Sequence, residues 1–248
     1  VGHSEQVVTV HNGMPDVAPE LRRTGGGAAA GFAGAASNAA AARAEHPALE
    51  GEGLRLLMVA RFSSQKDHPT LLEAVARLAR ESAAAETGVH VVGGGPSGAA
   101  GDTTGASLEL LLVGDGPTEY AVRRRAYDLG IEDRVRFLGS RDDVAELLAA
   151  SDIYVLATNW EGLPRSIIEA LRAGLPVVAT DLAGVPELVT HDDNGYLVER
   201  GDVEELAEML GRLVADAELR ARMGARSREH YEAEFTFERM YRRTVGVY

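Results

Sequence analysis

Two carboxylates and two cations are spaced in this sequence in a way that suits an anionic ligand. Glu161 precedes a Gly162-Leu163-Pro164 turn, and Glu169 follows inside the apolar run SIIEALRAGLPVVAT. A carboxylate among apolar neighbours is costly unless something binds it. Pro164 suits the first turn of a helix. That start leaves the backbone N–H groups of Gly162, Leu163 and Arg165 at the positive end of the helix dipole, a setting for an anion. In one continuous helix Glu161 and Glu169 would lie about 80° apart and roughly 12 Å along the axis. They need not act on the same group. One can face a sugar while the other accepts two ribose hydroxyls. Taken singly, each has a bland reading, Glu161 as an acid favoured by the dipole and Glu169 as an exposed helix residue. Arg61 and Lys66, in the loop RFSSQKDH, shift the balance. Two cations can grip a diphosphate from two sides. Gly114 and Gly116, in Gly-Asp-Gly-Pro, fit either a backbone held close to a ligand or a plain tight turn.

These groups need strands that end at their loops. Apolar runs predict strands at 54–60, 108–113, 135–138, 153–156, 176–180 and 196–198, with a short one at 7–10. Helical spacing predicts helices over 69–80, 117–129 and 142–149, one opening at Pro164, and further ones over 185–189, 202–232 with a break near Asp216, and 237–243. Strands apolar on both faces and alternating with helices imply an α/β fold, a doubly wound parallel sheet of Rossmann-like type. Such sheets bind ligands beyond the carboxyl ends of their strands. The loops to inspect are therefore 61–68, 114–117, 139–142, 157–164 and 181–184. Residues 24–50 and 82–106 are Gly/Ala-rich and read as flexible insertions. The expected organisation is a hinge or entry strand at 1–23, the insertion at 24–50, a nucleotide-binding domain at 51–235 and a closing helix at 236–248.

The 248-residue chain is long enough for one large domain with a buried core. Its formal charge of −13 argues against a general binder of nucleic acid or anionic membranes. It contains no cysteine, so it has neither a disulfide framework nor a thiolate metal site, and a cytoplasmic location is expected. No apolar run approaches the ~18 residues of a membrane span. The chain begins at Val1, and it reads as a piece of a longer protein. Asp142-Asp143 and Asp192-Asp193 are adjacent pairs, the first suited to capping a helix and the second to a turn. No Asp-x-Asp occurs, which leaves a metal-bridged diphosphate unsupported. Gly93–Gly98 formally fits a dinucleotide fingerprint but precedes no helical pattern. Trp160 stands beside Glu161, as a packing residue or as a cover over the site.

The series VARFxxxK, LLLVGDGP, VxFLG, SDIYVL, EGLPRSIIEA, GLPVVAT and GVPELVxxxxNGYLV resembles the C-terminal half of retaining glycosyltransferases of family 4, which have the two-domain GT-B architecture. The likeness covers about 53–245, with the edge of the hinge at 7–16. It implies a donor-binding domain that works with a nucleoside-diphosphate sugar, UDP- or GDP-linked, and transfers a hexosyl group to an acceptor hydroxyl. It further implies that Arg61 and Lys66 bind the diphosphate, that Glu161 contacts the donor sugar, and that Glu169 binds the ribose. Gly162, Leu163 and Pro164 would line sugar and phosphate, Leu138 and Arg141 would border the base, and Gly114 and Gly116 would form the glycine-rich loop. No metal and no cofactor is implied. The acceptor-binding N-terminal domain would be the principal partner, with any peripheral membrane contact made through it, and the last helix would pack toward it. One departure is the hinge, usually Asn-Gly-Val/Ile-Asp and here Asn12-Gly13-Met14-Pro15-Asp16. Alternatives on the same plan are a non-catalytic nucleotide-sugar-binding module and an epimerase or phosphorylase.

Overall fold

Short apolar runs closed by glycine or polar residues become the strands of one sheet in the computed structural model, which describes residues 53–87 and 108–246. In chain order the elements are β1 (Leu54–Val59), α1 (His68–Thr87), β2 (Leu108–Val113), α2 (Glu119–Asp128), β3 (Val135–Gly139) and α3 (Val144–Ala149). They continue with β4 (Ile153–Leu156), α4 (Arg165–Ala173), β5 (Val177–Thr180), β6 (Gly195–Val198), α5 (Val203–Ala215), α6 (Ala217–His230) and α7 (Phe237–Val245). The expected entry strand at 7–10, the hinge and the insertion at 24–50 lie outside the described residues, as does the glycine run at 93–98.

The six strands are all parallel, in the order β3-β2-β1-β4-β5-β6. This is the doubly wound arrangement. The chain builds outward from β1 through β2 to β3, then returns to the other side of β1 for β4 to β6. The point of reversal lies between β1 and β4, where such sheets open a crevice. β4 and β5 are buried at every residue, as strands covered on both faces must be. Helix α1 packs against both α2 and α5, and α4 packs against both α3 and α6. Leu56, Leu57 and Met58 of β1 have no exposed surface. Each such side chain contributes about 1.5–3 kcal/mol by leaving water.

Three local expectations need correction. Residues 82–87 are not part of an insertion: α1 runs on through Thr87, because Glu81-Ser82-Ala83-Ala84 has ample helix propensity without large apolar residues. Val185–Val189 forms turns and no regular helix, with the Val185 and Leu188 N–H groups bonding three residues back. Asp143 sits at the α3 N-cap but makes no capping bond. Its carboxylate is taken by Arg141, whose Nε donates to it at 2.8 Å. The break near Asp216 is sharp: this residue ends α5 and its carboxylate caps α6 through the Leu219 N–H.

Candidate functional site

The loop after β1 and the loop after β4 meet at the reversal point. They are joined as a short antiparallel bridge between Lys66 and Thr158. The Asp67 N–H donates to the Ala157 carbonyl at 3.0 Å, and the Asn159 N–H to the Gln65 carbonyl at 2.8 Å. This backbone zipper brings together two side chains separated by 95 residues: Lys66 Nζ donates to Glu161 Oε1. The pair is well shielded, with 13% of the lysine and 7% of the glutamate side chain exposed. The Thr158 hydroxyl reaches the same oxygen at 2.9 Å.

Arg61 and Glu169 behave differently. Arg61 is exposed at the start of its loop and makes no ion pair among the described residues. Glu169 is half-buried on α4 and likewise takes no hydrogen bond among the described residues. Burial pushes its carboxyl above the ordinary value, and the nearby Arg172 and Arg165 charges only partly oppose this. Beneath it lies Tyr154 on β4, fully buried. Its hydroxyl donates to the Val59 carbonyl at 3.4 Å. Burial drives the phenol pKa upward, the Ser166 hydrogen bond opposes, and the charges of Glu169 and Glu161 add to the rise. Ionised Tyr154 is thus strongly disfavoured, and the residue serves as a neutral floor.

Helix α4 begins at Arg165, with Pro164 as its N-cap at φ −70° and ψ 109°. Proline's fixed φ suits this start, and no side chain caps it. Gly162 is exposed, Leu163 half-buried and Pro164 buried. The turn is shaped from beside it by Gly184, at φ +83°, where a Cβ would stand 1.7 Å from the Gly162 carbonyl oxygen. Gly114 and Gly116 are likewise constrained. A Cβ on either would fall 2.1 Å from the Ala60 oxygen or 2.2 Å from that of Phe62. Their geometry is explained by loop packing on loop, which seats Phe62 and hence the strap carrying Arg61 and Lys66. The Phe62 N–H donates to the Asp115 carbonyl at 2.8 Å, and the Thr118 N–H returns to that of Phe62 at 3.2 Å.

Phe62 stacks on His68, ring centroids 4.5 Å apart, and His68 Nδ1 lies 3.3 Å from the Lys66 carbonyl. Burial holds the imidazole down to about 4, so the ring is neutral near pH 7 and Nδ1–H donates to that carbonyl. Leu138 packs against the core at the end of β3, and Arg141 beyond it is engaged by Asp143. Trp160 is 55% exposed at the rim, and its carbonyl accepts from the Gln65 side chain at 2.8 Å. The structure therefore brings Lys66, Glu161 and the Gly162–Pro164 turn together, with Arg61 and Glu169 on the neighbouring loop end and helix. Sequence reasoning missed Thr158, Thr180, Gly184 and His68. The signal for the threonines was a polar β-branched residue where an apolar strand ends.

A parallel sheet of this order, with a cation and a carboxylate paired at its reversal point, defines a Rossmann-like domain. This chain belongs to the family of glycosyl transferases group 1, whose profile matches residues 42–230. It is 40% identical over 145 residues to the N-acetyl-alpha-D-glucosaminyl L-malate synthase of Bacillus anthracis, covering 58% of this chain and 38% of that relative. A GDP-mannose-dependent monoacylated alpha-(1-6)-phosphatidylinositol monomannoside mannosyltransferase of Corynebacterium glutamicum is 38% identical, with 56% of this chain and 38% of the relative covered. The chain thus spans well under half the length of both relatives. In fold it resembles Anabaena HepE, solved in complex with UDP and glucose, with a TM-score of 0.73 at 23% identity over 99% of this chain and 57% of that one. No helix among the described residues is long and apolar enough to cross a membrane.

Proposed function

We propose that this chain is the donor-binding half of a retaining, metal-independent glycosyltransferase, acting on a nucleoside-diphosphate sugar. The observation that carries the reading is the meeting of Lys66 and Glu161 at the sheet's reversal point, with Arg61 and Glu169, unpaired among the described residues, beside them. The names of the relatives support it: one depends on GDP-mannose, and the HepE structure holds UDP and glucose. In the reaction, the bond between the anomeric carbon and the diphosphate oxygen breaks, and negative charge grows on the leaving diphosphate. Arg61, Lys66 and the free N–H groups at the start of α4 stabilise that charge, the part a metal plays elsewhere. Glu161 orients the sugar, and Glu169 receives the ribose hydroxyls. The hexosyl group passes to an acceptor hydroxyl, whose proton goes to the diphosphate oxygen freed by the cleavage.

The acceptor belongs to a second domain that closes the cleft. Helix α7 is the expected docking element. None of its residues is buried, and Phe237 and Tyr241 stack on each other while 54% and 58% exposed. Apolar surface of this kind marks a partner surface.

Thermal-shift screening with UDP, GDP, ADP and their sugars, with and without EDTA, tests the reading. A ligand at 100 times its Kd stabilises by about 2.7 kcal/mol, and EDTA should change nothing. A strong requirement for magnesium would sink the metal-free mechanism. Supplying an acceptor domain should give transfer with retention at the anomeric carbon, read by NMR of the product.

A further inference from the structure

Thr158 is fully buried under the site, and its hydroxyl has one proton for three oxygens. Glu161 Oε1 lies at 2.9 Å, the Gln65 carbonyl at 3.0 Å and the Trp160 carbonyl at 3.4 Å. A carboxylate draws such a proton more strongly than a carbonyl, since charge-assisted bonds are about twice as strong. The Gln65 carbonyl already accepts the Asn159 N–H at 2.8 Å, so it does not need the threonine. The proton therefore goes to Glu161. Thr158 is itself fixed from behind. Its N–H donates to Thr180 Oγ1 at 3.0 Å, and that hydroxyl lies 3.4 Å from the Leu156 carbonyl. A rigid polar chain thus runs from β5 through Thr180 and Thr158 to one oxygen of Glu161. Lys66 holds the same oxygen. The other, Oε2, takes no hydrogen bond among the described residues.

We propose that Thr158 is a positioning residue for the donor sugar: with Lys66 it clamps Oε1 of Glu161, so that Oε2 is presented as a fixed acceptor for a sugar hydroxyl. This rests on the donor-site reading above. When a diphosphate arrives, Lys66 must share its three N–H donors with phosphate. Thr158 is uncharged and buried, so it has no reason to leave. It keeps Glu161 in place while the lysine is divided. Its influence should therefore fall on the sugar and spare the nucleotide.

The test is calorimetry on the 248-residue chain with UDP against UDP-glucose, and GDP against GDP-mannose. The quantity read is the ratio of the affinity for the sugar nucleotide to that for the nucleoside diphosphate. Thr158→Val should lower this ratio about tenfold, as expected for loss of a hydrogen bond to a charged group. It should leave the bare diphosphate affinity within about twofold, and Thr158→Ser should restore the ratio. Thr158→Ala is measured in parallel, in case the valine variant melts early. In a Glu161→Gln background, Thr158→Val should have little further effect, because it acts through the lost carboxylate. An equal loss for diphosphate and sugar nucleotide, or the same loss in the Glu161→Gln background, would overturn the positioning role. A ratio lowered by Glu161→Gln but untouched by every Thr158 variant would do so as well. If Glu161→Gln itself leaves the ratio unchanged, or if no nucleotide binds, it is the donor-site reading that fails, and this inference with it.

Discussion

The strap after β1 offers two cations and the segment after β4 two carboxylates, and these four groups fall into two sets in opposite conditions. Lys66 and Glu161 hold each other, are shielded from water, and are braced by Thr158. Arg61 and Glu169 are unpaired among the described residues, the first exposed and the second pushed toward its neutral form by burial. Coupled charges are preorganised, but their attraction must be loosened before a ligand can use them. Free charges break no internal ion pair when a ligand arrives, although they give up hydration and side-chain freedom, and their disposition depends on the ligand. On the donor-site reading, the difference divides the site into a rigid part that sets geometry as well as affinity and an open part that adds affinity alone.

The largest effect should come from breaking the rigid couple. Lys66→Ala leaves Glu161 shielded with only a threonine for company, and unpairing a buried charge costs about 3 kcal/mol. Denaturant unfolding should show that loss, with diphosphate affinity reduced by a further 1.5–3 kcal/mol or so in calorimetry. If Lys66→Ala melts with the wild type, the couple is solvated and the comparison fails.

The strap that carries Lys66 should also register acid. His68 has its folded pKa depressed to about 4 against an ordinary 6.5, so between these values the unfolded chain takes up a proton that the folded chain refuses. Stability is therefore unaffected above pH 6.5 and declines as pH falls from 6.5 toward 4, by about 3 kcal/mol in all. Thermal melts of Lys66→Ala and the wild type across this window, with a His68→Gln control that flattens the slope, check the sign.

On the open side, Arg61→Ala should weaken diphosphate binding by about 1.5–3 kcal/mol while shifting stability by less than about 0.5 kcal/mol. An affinity loss accompanied by an equal loss of stability would place Arg61 with the rigid couple. The smallest effect should be that of Glu169→Gln. The amide keeps one acceptor, so affinity for UDP or GDP falls by about 1 kcal/mol. Because the carboxyl's folded pKa is raised, the stability it adds when protonated is present below its ordinary 4.5 and lost as pH rises through the raised value. The variant should remove that slope. It should also remove the rise in nucleotide affinity that accompanies ionisation of the carboxylate over the same range.

The positions and parallel type of the strands could be read in the sequence because fully buried parallel strands leave unbroken apolar runs, as in IYVL. The placement of Arg61, Lys66 and Glu161 in loops beyond strand ends, with Glu169 on the helix that follows, was expected from the same rule. What could not be read is who touches whom. The Lys66–Thr158 bridge depends on a register between segments about ninety residues apart, and no local pattern announces it. Gly114 and Gly116 show the same limit: a glycine's freedom is visible in sequence, but whether ligand or neighbouring backbone uses it is decided by tertiary packing. The apolar spacing of Val185–Val189 mimics a helix, although Gly184 and Pro186 punctuate the segment and make it a turn.

The rim residue Trp160 has one more consequence. It is the only tryptophan in the chain, and it stands half in water next to Glu161. Excitation at the red edge of the near-ultraviolet band, where the seven tyrosines barely absorb, therefore lights one place in the unlabelled protein, and that place is beside Glu161. Any molecule that settles against Glu161 changes the polarity around a single indole, so the protein carries its own optical reporter of occupancy.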